Sequence, residues 1–219
     1  QRILKGKPVS GLQGVYTQAS PLPSPDCGKH PNAPMVQNMD ALPNPDYDDF
    51  FDQYEQGREC LPHPREVPME TSRGCWWGVK QCCTFCGLNG MSMKFRSKSA
   101  KRVLEEVEYL RKRYPVKHIR LVDNVLNLDY FKTLLPDLRR RRLRVAFNCD
   151  VRPNLDKAQV RMLHDANFTS ITPGIESLST PILKLMRKGV SQLQNIQLLK
   201  WCKEFGIVPV WNWLWGFPA

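Results

Sequence analysis

From residue 69 onward the apolar positions fall into two alternating patterns. Val103, Val107, Leu110 and Tyr114 recur at three- and four-residue intervals behind Ser99, the spacing of one helix face with a capping residue before it. HIRLVDN (118–124) is a short apolar run of strand length. Phe131, Leu134, Leu135 and Leu138 mark the next helix, bent or restarted at Pro136, which lacks an amide donor. VAFNC (145–149) reads as a strand, and Asp156 caps a helix bearing Val160, Leu163 and Ala166. FTSITPG (168–174) is a strand, and Thr180-Pro181 opens a helix as cap then proline. Gly189 interrupts that helix, and Ser191 restarts it through Ile196, Leu199 and Trp201 to Gly206. IVPVWNWLW (207–215) is the last strand, and alternation puts Trp211, Trp213 and Trp215 on one face. With a first strand ahead of a cysteine-rich loop, this alternation implies right-handed crossovers and a parallel α/β sheet. Such sheets bind ligands beyond the carboxyl ends of their strands.

Before residue 69 the pattern dissolves. Eleven of the 18 prolines lie there, so residues 1–68 read as a proline-rich linker or domain tail and 69–219 as the folded core. Cys27 and His30, within that tail, read as a surface thiol and a surface imidazole. A hydrophobic content of 42% supports a real core. No apolar run is long enough to span a bilayer, and no charged-then-apolar leader opens the chain, so no membrane association or secretion is expected. The formal charge of +11 raises the question of an anionic partner. Much of it sits in Arg139, Arg140, Arg141 and Arg142, where a helix should end and cations complement its dipole. A nucleic-acid partner is therefore not expected.

The chemistry concentrates in RGCWWGVKQCCTFCGLNG, where Cys75, Cys83 and Cys86 form Cys-x7-Cys-x2-Cys. Three close thiolates suit an iron–sulfur cluster with one iron left open, since such clusters usually take four protein ligands. Adding Cys82 gives four thiols, which structural zinc would require. Adjacent Cys82 and Cys83 cannot easily reach one ion, but Cys82 can replace Cys83 as a cluster ligand. Thiols meant for metal point to a reducing cytoplasm.

RGCWWG…CTFCGLNG, followed by FRSKS, VDN, YFKTLLP and PGIESLSTPILKLMRKG…LQNIQLLKWC, resembles the radical S-adenosylmethionine (SAM) enzymes that mature ribosomally made peptides. The resemblance covers roughly residues 40–219. It implies part of a (β/α)6 barrel, about five parallel strands of it, behind the proline-rich segment. It implies a 4Fe–4S cluster on Cys75, Cys83 and Cys86 that generates a 5′-deoxyadenosyl radical from SAM. Most radical SAM enzymes use Cys-x3-Cys-x2-Cys, which would need a cysteine at Val79; the longer first spacer here matches the peptide-maturing branch. By the same likeness Asp123 and Asn124 hold the methionine ammonium, with VDN in place of the commoner Gly-Gly-Glu. Arg152 suits the methionine carboxylate, since a guanidinium pairs with it in a fork, and Glu176 and Ser177 are placed for the ribose hydroxyls. Blander roles stay open: Asp123 and Asn124 as helix caps, Arg152 as a surface charge, Ser177 as a cap. The implied partners are a ribosomal precursor peptide and an electron donor. DALPNPDYDDFF resembles the connection to an N-terminal cobalamin domain, so cobalamin-dependent C-methylation in the full-length protein is an expected outcome. Two alternatives differ in kind: a radical SAM enzyme that modifies tRNA, and a zinc-stabilised nucleic-acid-binding module without catalysis. The chain starts at Gln1 and stops just after its fifth strand, which reads as a piece of a longer protein, catalytically incomplete alone.

Overall fold

A computed structural model of the chain describes residues 35–57, 66–87 and 93–217. The chain divides into two compact units, Gln1–Gln37 and Asn38–Ala219. Cys27, His30 and the first proline cluster lie outside the described residues, and the second unit carries the features below.

Helix α1 (Asp48–Gln56) precedes β1 (Glu66–Met69), β2 (Ser72–Arg73) and the short helix α2 (Trp76–Lys80). After β3 (Arg96–Ser97) the chain alternates: α3 (Ala100–Arg113), β4 (His118–Leu121), α4 (Leu134–Arg141), β5 (Ala146–Val151), α5 (Lys157–Asp165) and β6 (Phe168–Pro173). It ends in α6 (Thr180–Leu185), α7 (Gln192–Phe205) and β7 (Val208–Pro209). β1, β4, β5, β6 and β7 form one sheet in that order, every pairing parallel. These are the five parallel strands that the alternation predicts, in an α/β arrangement consistent with part of a (β/α)6 barrel.

The helices pack in succession, α3 on α4, α4 on α5 and α5 on α7. Their apolar faces close on the sheet: Leu110, Leu134 and Leu163 join Ile119, Phe147 and Ile171 in one buried cluster. Each such side chain contributes roughly 1.5–3 kcal/mol through lost contact with water. The caps are local and specific. Ser99 Oγ accepts from Arg102 N at 3.2 Å, while Asp156 with Gln159 and Ser191 with Gln194 form capping boxes.

Four details refine the periodicity. The helix read from Phe131 is in two pieces, a 3-10 turn (Leu128–Phe131) and α4 from Leu134, and the restart places Pro136 in the first turn of α4, where its missing donor costs nothing. Ser179, not Thr180, is the N-cap residue of α6, and the Thr180 hydroxyl accepts from Gln192 N instead. The fully buried residues of α7 are Asn195, Leu198 and Cys202; Leu199 and Trp201 are half-buried, Trp201 against the core, and Ile196 is exposed. The last strand shrinks to two residues, because Pro209 cannot donate to a ladder. Beyond it, among the described residues, Val210 N to Ile171 O, Leu214 N to Glu176 O and an isolated Glu176–Trp213 bridge continue the pairing, and Trp213 and Trp215 stand 55% and 87% exposed.

The unit that contains the sheet begins at Asn38 and so takes in part of the proline-rich segment. Proline limits helix length there, but α1 and the residues before it still dock on α3. Phe51 stacks on Tyr114 at the end of α3, ring centroids 5.0 Å apart. The Tyr114 hydroxyl donates to Asp48 Oδ1 at 2.9 Å, and Arg102 donates to Leu42 O at 2.8 Å.

Candidate functional site

The cysteine loop leaves the carboxyl end of β1 and is held at both ends. β2 and β3 pair antiparallel, Ser72 opposite Ser97 and Arg73 opposite Arg96, and Cys75 N donates to Met93 O at 3.3 Å. Gly74 has φ +88, and a Cβ there would lie 2.4 Å from Lys94 O, so only glycine fits where the loop begins. Cys75 is the N-cap residue of α2, its sulfur accepting from Gly78 N at 3.4 Å. Cys75, Cys82, Cys83 and Cys86 are half-buried thiols outside any disulfide. The Cys82 thiol turns back to donate to Gly78 O at 3.1 Å. Among the described residues no three His, Cys, Asp or Glu side chains close on a single ion.

A turn after α6 bolts the loop in place. Thr84 N and Thr84 Oγ1 donate to Met186 O and Leu185 O, both at 3.1 Å, and Trp77 Nε1 donates to Arg187 O at 3.2 Å. Left-handed backbone at Arg187 (φ 54) and Gly189 (φ 66) aims these carbonyls. A Cβ on Gly189 would lie 2.3 Å from the Trp77 ring.

Two buried cations flank the thiols. Arg152, 8% exposed at the end of β5, lies 4.1 Å over the Trp77 ring and 5.7 Å from that of Trp76. One amino group donates to Lys188 O, and the guanidinium reaches the Cys83 thiol, with Cys75 also within its field. Its Nε is buried without a hydrogen-bond acceptor, and no carboxylate pairs with it among the described residues. Lys188, 5% exposed, sits 5.5 Å from the Phe85 ring and pairs with Glu176 at 3.4 Å. Burial pushes the Cys83 thiol pKa up, while Lys188 and Arg152 pull against that shift.

The other residues singled out by sequence gather at the same strand ends. Asp123 is buried, its carboxylate accepting from Thr71 N at 2.7 Å, Ser72 N at 2.8 Å and the Thr71 hydroxyl. Desolvation outweighs these hydrogen bonds and raises its pKa to about 6. Asn124 Oδ1 accepts from Gly74 N at 3.2 Å, beside Cys75. Glu176 adopts left-handed backbone (φ 57), a conformation that concentrates at functional sites. Ser177 is buried, and its hydroxyl accepts from Ser179 N at 3.1 Å. Trp76 and Trp77 are half-buried anchors, the former donating to Leu126 O at 3.2 Å.

Two contributors lie within the stretches that carry the resemblance but receive no role from the sequence. Lys188 sits in a turn between helices and carries no periodic signal. Asn195, fully buried, donates to Ser177 O at 2.8 Å and Ile175 O at 3.3 Å; its spacing to Leu198 and Cys202 would have revealed it.

Comparison with known proteins adds a family match: the model for the radical SAM superfamily matches residues 69–219. An uncharacterized methyltransferase of Pyrococcus horikoshii is 29% identical over 99% of this chain and 45% of its own length. The bacteriochlorophyllide d C-12(1)-methyltransferase of Chlorobaculum tepidum is 31% identical over 62% of this chain and 31% of its own. The chain thus spans less than half the length of these curated relatives. Among solved structures, the cobalamin-dependent SAM radical enzyme OxsB with aqua-cobalamin bound superposes with a TM-score of 0.71 and 22% identity, over 97% of this chain and 31% of that one. The radical SAM methyltransferase TsrM of Kitasatospora setae, with cobalamin and a 4Fe–4S cluster bound, gives 0.66 and 18%, over 100% and 43%. At such identities these two likenesses show the fold alone.

Proposed function

The chain belongs to the radical SAM superfamily, whose members use a 4Fe–4S cluster and SAM, and from that premise we propose that it is the barrel part of a cobalamin-dependent methyltransferase acting on a ribosomally made peptide. The observation that carries the cluster assignment is the buried Arg152, which has no acidic partner among the described residues and reaches toward Cys83 and Cys75. A buried cation without an anion is costly, and thiolates holding a cluster supply the negative charge that it lacks. The residues therefore fit the group. Cys75, Cys83 and Cys86 would hold it, with Cys82 committed to the Gly78 carbonyl. When bound and reduced, the cluster supplies one electron to the sulfonium of SAM.

The protein's own task is to position and shield. The 185–189 turn fixes the loop, and the Trp76 and Trp77 rings cover the Arg152 side of the site. In the same proposal Asn124 and Asp123 serve the methionine ammonium, Asp123 acting through the Thr71–Ser72 backbone that it holds. Arg152 serves the carboxylate, and Glu176 and Ser177 the ribose. Methyl transfer and the use of cobalamin rest on the names of the relatives and of OxsB and TsrM. A peptide substrate rests on the sequence likeness, as does an electron donor, and a cytoplasmic location rests on the metal-binding thiols; among the described residues no helix is long and apolar enough to cross a membrane.

Anaerobic reconstitution with iron and sulfide tests the core of this reading. About four irons per chain are expected, with reductive release of 5′-deoxyadenosine from SAM when the full-length protein is assayed. One zinc and no iron would overturn it.

A further inference from the structure

We propose that Lys188, Glu176 and Arg152 form a built-in charge group that sets the reduction potential of the cluster, with Lys188 and Glu176 acting in opposite directions. The inference rests on the cluster assignment above and assigns a role to a buried lysine to which the sequence reading gives none.

Lysine is rarely buried without a reason, and Lys188 is held on three sides. Its ammonium pairs with Glu176 Oε1 at 3.4 Å, it faces the Phe85 ring from 5.5 Å between Cys83 and Cys86, and it lies within electrostatic reach of Cys83. Its main-chain carbonyl accepts from Arg152, which stacks on Trp77. The two cations are thus tied to each other through one residue and fixed by aromatic faces rather than by flexible ion pairs. Gly174 leaves the room: a Cβ there would lie 2.8 Å from the Lys188 ammonium. Glu176 is equally constrained, by left-handed backbone and by Leu214 N donating to its carbonyl at 2.9 Å.

Cluster potentials follow net charge, hydrogen bonds to sulfur and solvent exposure. Reduction adds a negative charge, which a fixed nearby cation stabilises, and low local dielectric amplifies the effect. Glu176 moderates Lys188. Losing the lysine leaves an uncompensated carboxylate beside the cluster; losing the carboxylate leaves an uncompensated ammonium.

The test compares reconstituted wild type, Lys188→Met and Glu176→Gln by iron and sulfide content, circular dichroism and a redox titration followed by electron paramagnetic resonance. The expected result is full iron in all three, a more negative midpoint for Lys188→Met and a more positive one for Glu176→Gln. Unshifted midpoints at full iron overturn the inference while leaving the proposed function standing. Loss of iron from a Lys188→Met protein that keeps its fold overturns it in favour of a purely structural clamp. Should Lys188→Met lose its fold, Glu176→Gln decides alone: a positive shift supports the inference, and no shift or a negative one overturns it. A wild-type chain that takes up no iron overturns both readings.

Discussion

The Asp123 carboxylate accepts from Thr71 N and Ser72 N at 2.7 and 2.8 Å and from the Thr71 hydroxyl, yet burial raises its pKa from 3.8 to about 6. Between those values the folded state binds more protons than the unfolded one. Its contribution to stability is therefore fully present below pH 3.8 and is lost as pH rises through about 6. A shift of about two units corresponds to about 3 kcal/mol over that window. Asp123→Asn keeps an oxygen for the two amides and removes the titration. Urea unfolding of wild type against Asp123→Asn from pH 4 to pH 7 should show the wild type losing stability relative to the variant; parallel curves would refute the assignment. The thiols make a second prediction at this scale. Cys75→Ala, Cys83→Ala and Cys86→Ala should each abolish the cluster, whereas Cys82→Ala, removing a thiol already bonded to Gly78 O, should retain it. Iron per chain reads the result, and loss with Cys82→Ala but not Cys83→Ala would exchange the two. Cysteine type and spacing made this loop legible in the sequence. The direction in which Cys82 points was not, because it depends on where α2 ends.

Among the elements, the turn at 185–189 does more for the site than any single strand, since it offers its carbonyls to Thr84 and Trp77 and carries Lys188. Gly189→Ala tests it. The new methyl would lie 2.3 Å from the Trp77 ring at φ +66, so the loss should be at least about 1 kcal/mol, with iron uptake falling alongside it. Thermal denaturation and iron assay check this, and unchanged values in both would show the turn to be passive. Sequence marked Gly189 only as an interruption between helices, which is what local patterning can see; its contact partner lies more than a hundred residues away. Elsewhere the periodicity succeeded where one face of an element is apolar, as in α3, α4 and α5. It slipped on α7, where apolar residues surround the helix and a buried amide, Asn195, marks the true inner face. It overreached on the last strand, where nine residues rich in tryptophan read as strand but Pro209 limits the ladder.

At the scale of the whole molecule, the excess charge of +11 separates the peptide reading from the tRNA alternative. Charge counted along a chain says nothing about pairing, and the fold pairs much of the arginine run. Arg139 meets Asp165 at 3.4 Å, Arg140 meets Asp137 at 2.6 Å, and Arg141 meets Glu108. Arg142, the left-handed C-cap of α4, and Arg144 are exposed at its end and have no acidic partner among the described residues. Of this run only Arg142 and Arg144 are left to meet phosphate, so this surface alone neutralises about two, for a logarithmic salt slope of roughly −2 or shallower from it on nucleic acid. A fluorescence anisotropy titration of labelled tRNA between about 50 and 200 mM salt should therefore show weak binding with that shallow slope. A precursor peptide, bound through shape and apolar contact, should depend on salt only moderately. Tight tRNA binding with a slope of about −6 or steeper, surviving competition by peptide, would mean that the paired arginines open to meet phosphate, and would move the substrate from peptide to RNA.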